Sequence, residues 1–115
     1  SYPRRALPYE LRPEAPRPEV CIGTDAFHTP DWLAAGVEEA CDRLGLGHGR
    51  DTPFSGCYVP LGFYQHDAAV SSVMLELRRD FYLDEATGRP TSESRVDWAA
   101  PASGVSSVAA TTAIS

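Results

Sequence analysis

The chain has 115 residues, 16 acidic and 10 basic, and every basic residue is arginine. That length holds at most one ordinary domain, and 43% hydrophobic with 23% charged residues suits a folded core, not a coiled coil or a disordered chain. The net charge of −6 and the lack of any basic run make nucleic acid and anionic membranes poor partners, and no stretch approaches the ~18–20 apolar residues of a membrane helix.

Residues 1–19 hold five of the ten prolines, Pro3, Pro8, Pro13, Pro16 and Pro18. Each fixes φ and removes a donor, so the segment predicts an extended arm that is mobile alone and lies across another surface. Val20-Cys21-Ile22 reads as a short buried strand closed by Gly23. A polar loop, 24–29, leads into a helix at about 30–44, with Thr29 as its cap, Pro30 in its first turn and Asp31 at its positive end. Leu33, Val37, Ala40, Cys41 and Leu44 form one stripe, and Gly45 and Gly47 supply the stop. His48 to Phe54 predicts a short strand ended by Pro53, and Phe63 to Ala69 fits either a helical turn or a loop. Val73, Leu75 and Leu77 alternate with Met74, Glu76 and Arg78, which predicts a strand over 71–79. A polar turn covers 84–90, a short helix is expected over 92–100, and the uncharged 101–115 reads as a flexible tail.

Strand, helix, strand, strand, helix implies an α/β sheet. One good helix cannot cover both faces of a parallel sheet, so the 20–100 region looks like one side of a larger domain. Cys21, Cys41 and Cys57 form no metal or disulfide spacing, and free thiols in a reducing cytoplasm are the simplest reading. The chain starts at Ser1 with no leader pattern, so it is expected to be processed or part of something longer.

Glu76 sits in the most hydrophobic strand. A buried carboxylate there must be paired, hydrogen-bonded or protonated. Such a group suits general acid/base work, although pairing with Arg78 or Arg79, or facing water, is the plainer account of it. Arg78 and Arg79 follow at a strand end, where open α/β sheets place ligands. There an arginine can hold a carboxylate bidentately or simply be solvated. His28 lies in the loop before the helix, either facing substrate or making local contacts. His28, His48 and His66 are too dispersed for a metal site within the chain. No nucleophile triad, P-loop or dinucleotide fingerprint can be assembled.

Several blocks resemble the N-formylglutamate amidohydrolases (N-formylglutamate deformylases). They are Ser1-Tyr2-Pro3 with Ala6 to Glu10, Glu19 to Asp25 with Phe27-His28-Thr29-Pro30, Pro53-Phe54-Ser55-Gly56, and Val73 to Arg79 with Phe81 to Glu85. The similarity runs in order over residues 1–88. It implies part of a three-layer, mixed-sheet, zinc-carboxypeptidase-like fold, left incomplete by this chain, with the remainder of the hydrolase domain as its partner. The implied reaction is hydrolysis of N-formyl-L-glutamate to formate and L-glutamate, a step of histidine degradation, by water bound to zinc.

The resemblance assigns Glu76 as the proton shuttle, Arg79 to a substrate carboxylate, and His28 and Asp25 to polar positions near the cleft. It places the metal ligands ahead of Ser1, the last in an Asp-x-His run directly before it. The isolated chain is then expected to be inactive. Arg78 and Asp51 stand where the family pattern usually has asparagine, which opens the substrate to other formylated or acylated amino acids. The alternative is a truncated, non-catalytic relative that binds a partner protein through a sheet edge or the proline arm.

Overall fold

A computed structural model describes residues 1–91 and the backbone of 108–112. Its elements are β1 (Val20–Gly23), α1 (Asp31–Arg43), β2 (His48–Arg50), β3 (Ser71–Leu77) and β4 (Val108–Thr112), with a single 3-10 turn at Arg79–Phe81. The sheet order is β2-β1-β3-β4. β2 runs parallel to β1, β3 antiparallel to β1, and β4 parallel to β3. The mixed α/β class read from the sequence is the class found. Val108–Thr112 falls inside the stretch expected to be a tail, yet its backbone pairs with β3 from Ser71 to Leu75. The helix expected over 92–100 lies outside the described residues.

The antiparallel register pairs Val20 with Leu77, Cys21 with Glu76, Ile22 with Leu75 and Gly23 with Met74. Because side chains alternate along a strand, Val20, Ile22, Val73, Leu75 and Leu77 share one face. Leu33, Val37, Cys41 and Leu46 of the helical segment pack there and complete the core. Each fully buried aliphatic contributes about 1.5–3 kcal/mol, so this face holds the unit together. Cys21, Gly23, Met74 and Glu76 point to the other face, which the 51–58 segment covers. There the Cys21 thiol donates to the Phe54 carbonyl at 3.2 Å, and the Ser72 hydroxyl to the Tyr58 carbonyl at 2.7 Å.

Two expectations at the ends of α1 are corrected. Thr29 does not cap the helix, since no side chain caps α1. Its hydroxyl instead donates to the Ser72 carbonyl at 2.6 Å and accepts the Asp25 amide at 2.9 Å, tying the loop to β3. Leu44, assigned to the apolar stripe, is 58% exposed, and Leu46 is buried in its place. The cause is the helix stop. Gly45 adopts φ +68°, the Leu46 amide donates back to the Cys41 carbonyl and the Gly45 amide to the Asp42 carbonyl. This Schellman turn swings the chain so that the residue after the glycine, not the one before it, meets the core.

The proline-rich arm is not extended away from the unit. Tyr2 is buried, its hydroxyl donates to the Pro18 carbonyl, and its ring packs edge-on against Phe54. Residues 2–18 therefore close on themselves as an Ω-loop. Arg17 staples it, pairing with Glu10 at 2.6 Å, donating to the Pro3 carbonyl at 3.0 Å and lying over the Tyr2 ring. The prolines remove backbone donors, and side chains supply the loop's closure instead.

Candidate functional site

The C-terminal end of β3 gathers the groups with chemical potential. Glu76 faces away from α1, opposite Cys21, and its side chain is 17% exposed, so it is sheltered yet reachable. Neither neighbouring arginine neutralises it. The Arg78 guanidinium donates to Asp80 at 2.7 Å and to the Arg17 carbonyl at 2.7 Å, pinning the arm to the strand end. The Asp80 carboxylate holds the Arg78 pKa above the usual arginine value. Glu76 instead lies 3.5 Å from the Ser1 α-nitrogen. The ion-pair explanation for Glu76 is therefore not realised through Arg78 or Arg79.

Arg79 opens the 3-10 turn, and its backbone amide donates to the Tyr2 carbonyl at 2.7 Å. Its Nε is buried and has no hydrogen-bond partner among the described residues. A buried, unpaired guanidinium nitrogen is costly. It is the kind of orphan that an incoming carboxylate would satisfy.

Asp25 and His28 are held by local contacts. Asp25 Oδ1 accepts the amides of Phe27 and His28, each at 2.9 Å, and shapes the turn leading to α1. His28 is 1% exposed. Its Nδ1 bonds the Val70 carbonyl at 2.8 Å, so Nδ1 carries the proton. Its Nε2 accepts the Gln65 amide at 2.8 Å. Both ring nitrogens are thus engaged, and the ring lies between Phe27 and Tyr64. In this geometry His28 fastens the 60–66 loop to the start of β3. Asp51 is structural too. It sits at φ 54°, a conformation Asp and Asn tolerate best among non-glycines. It receives the Thr24 amide at 2.7 Å and the Thr24 hydroxyl at 2.6 Å.

Sequence reasoning overlooked Ser1, beside Glu76, and its contact with Tyr82. The side chain of Ser1 is 1% exposed, and the Tyr82 hydroxyl donates to Ser1 Oγ at 2.8 Å. Eighty-one positions separate the pair, so no local pattern signals it. The only cue was that both fall in blocks used for the family resemblance. Among the described residues no cluster of three or more His, Cys, Asp or Glu side chains could hold a metal. They do not form a zinc site. All three cysteines are free, and burial raises the thiol pKa of Cys21 and of Cys41. No described helix is long and apolar enough to cross a membrane.

The described residues form a mixed α/β unit with Glu76 and Arg79 three residues apart at one strand end. The chain belongs to the N-formylglutamate amidohydrolase family, whose model matches residues 1–83. Comparison with curated proteins and with solved structures returned no match.

The matched blocks meet in space. Gly23 and Thr24 contact the 51–56 turn through the Asp51 carboxylate and the Gly56 amide, which donates to the Thr24 carbonyl at 3.1 Å. Tyr2 bridges to Arg78, and His28 and Thr29 tie onto Val70 and Ser72.

Proposed function

We propose that this chain forms part of an N-formylglutamate amidohydrolase-like enzyme, with Glu76 as general acid/base and Arg79 as the carboxylate anchor. The carrying observation is the buried Nε of Arg79, unpartnered among the described residues, three residues beyond a sheltered Glu76 that has no arginine partner among them. In the reaction, water adds to the formyl carbon and the C–N bond breaks. Glu76 takes the water's proton and delivers it to the departing amine, giving formate and the free amino acid. The arginine fork holds a substrate carboxylate, which every N-formyl amino acid offers, and the family match favours one with an acidic side chain.

The larger fold proposed is the three-layer carboxypeptidase-like one. Supporting it, only one sheet face carries a helix among the described residues. The zinc implied by the resemblance is proposed to be held by residues outside these 115, and the isolated chain to be inactive. The three free thiols support a reducing compartment such as the cytoplasm.

The test is Arg79→Ala in the full-length protein, assayed on N-formyl-L-glutamate. Losing a charge-assisted contact of about 1.5–3 kcal/mol raises KM by roughly 10–100-fold. An unchanged KM removes Arg79 from the site. A second reading, a non-catalytic module that binds a partner protein, is favoured by Tyr9 and Leu11, 79% and 99% exposed at the tip of the Ω-loop. It predicts no hydrolysis by the full-length protein and loss of partner capture on Leu11→Ser.

A further inference from the structure

We propose that His28 is a proton-operated latch: as the neutral imidazole it closes the 60–66 loop onto the start of β3, and a proton on Nε2 releases the loop. The residue is 1% exposed, and both ring nitrogens meet backbone groups of fixed role. The Val70 carbonyl can only accept, so Nδ1, at 2.8 Å, must carry a hydrogen. The Gln65 amide can only donate, so Nε2, at 2.8 Å, must be bare. One protonation state satisfies both partners. The imidazolium would turn an N–H towards the Gln65 N–H and bury a charge with no acceptor at Nε2.

The loop is poised to leave. Gln65 sits at φ 57°, a left-handed conformation that residues with a side chain avoid unless their surroundings hold them there. Among the described residues the loop's other backbone hydrogen bonds run within 60–67. The Phe63 and Tyr64 amides donate to the Pro60 carbonyl, and the His66 and Asp67 amides to the Phe63 carbonyl. Leu61 is 89% and Phe63 47% exposed, so little apolar burial at these two opposes release. The Tyr64 ring stacks on the imidazole at 5.8 Å and reinforces the latch. On either side the Ser72 hydroxyl donates to the Tyr58 carbonyl at 2.7 Å, and the Val70 amide to the Asp67 carbonyl at 3.2 Å. These two bonds bracket the segment that moves.

The titratable groups around His28 are already engaged or lie on the moving loop. Asp25, in its own turn, accepts the Phe27 and His28 amides at Oδ1. Asp67 accepts the Ala69 amide at Oδ1, and Tyr64 and His66 flank Gln65. From the covering segment Cys57 Sγ approaches the Thr29 hydroxyl at 3.8 Å. From β3 comes the uncharged Ser72, whose amide donates to the His28 carbonyl at 2.8 Å. The released loop therefore binds one proton more than the closed one, so the closed form gains stability as pH rises and loses it as pH falls. Histidine changes charge between about pH 5 and 8, which sets the window.

The test is amide hydrogen exchange in the full-length protein from about pH 8 to 5, corrected for the intrinsic pH dependence of exchange, beside nitrogen NMR of the imidazole. Protection at Gln65 should fall about tenfold or more while Ile22 keeps its own, and the His28 imidazolium should appear over the same range. His66→Gln should leave the transition in place. His28→Gln, which takes up no proton, should lose the pH dependence at Gln65. Where that variant fails to fold, the wild-type comparison of imidazole and amide still decides. Protection at Gln65 that stays constant with pH, that is lost together with Ile22, or that falls while His28 keeps its neutral Nδ1–H form overturns the proposal. A transition abolished by His66→Gln, or one that persists in a folded His28→Gln, overturns it as well.

Discussion

Replacing Gly23 by alanine should damage the unit far more than its one added methyl suggests. An added Cβ would lie 2.3 Å from the Gly56 carbonyl oxygen, 2.5 Å from Met74 Cε and 3.1 Å from Met74 Cβ. The methionine tip can swing aside. The carbonyl cannot, because its residue donates to the Thr24 carbonyl at 3.1 Å and the same turn is held through Asp51 and Thr24. Restoring ordinary contact near 3.4 Å requires the turn to retreat by about 1 Å, which breaks that backbone bond. Overpacking costs about 1–3 kcal/mol and the lost bond about 1 kcal/mol more, for a total of about 2–4 kcal/mol. At roughly 4–8 °C per kcal/mol for a domain of this size, the melting midpoint should fall by about 8 °C or more. Gly36→Ala is the internal control. It lies mid-helix with nothing within 4 Å of its added Cβ, so helix propensity should raise stability by about 0.5–1 kcal/mol. Thermal melts followed by circular dichroism read both. A Gly23→Ala midpoint within 2 °C of wild type on the order of measurement error would refute the close-approach argument.

Asp51→Ala removes both acceptors for Thr24 at a positive-φ position and should cost about 2–4 kcal/mol. Asp51→Asn tolerates the same backbone and keeps an acceptor for the Thr24 amide, so it should stay within about 1 kcal/mol of wild type in a denaturant titration. Arg17 holds the Glu10 carboxyl below its ordinary pKa. A depressed folded-state value stabilises the Ω-loop above the ordinary glutamate range and is lost as pH falls through the folded value. Limited pepsin cleavage at the arm should therefore accelerate below about pH 4, and the Glu10→Gln variant should show no such acid dependence. Cys21 and Cys41 are buried with raised pKa values, and Cys57 is half-buried. A thiol reagent at neutral pH should modify Cys57 first and reach the other two only in denaturant.

Elements carried by local chemistry were legible in the sequence. The α1 segment announced itself through its apolar spacing and terminal glycines, and β3 through strict alternation. The rest was decided either by a distant partner or by the exact geometry of a helix stop. Thr29 has a good cap's chemistry, but the Ser72 carbonyl, 43 positions away, claims its hydroxyl. Leu44 has the right spacing, but Gly45 ends the helix before it can turn inward. His28 reads as a polar group beside a helix start, and only the fold shows Val70 and Gln65 occupying both ring nitrogens. Glu76 was conspicuous as a charge among aliphatics. That Arg78 would be diverted to Asp80 and the Arg17 carbonyl, leaving Glu76 without an arginine partner among the described residues, depended on the arm folding back.

The proton-shuttling role of Glu76 is decided by turnover of N-formyl-L-glutamate in the full-length protein, wild type against Glu76→Gln. The substitution preserves size and one acceptor but cannot carry the proton. A loss of about 10²–10⁴-fold in kcat is predicted for a true general acid/base. Turnover equal to wild type would contradict it.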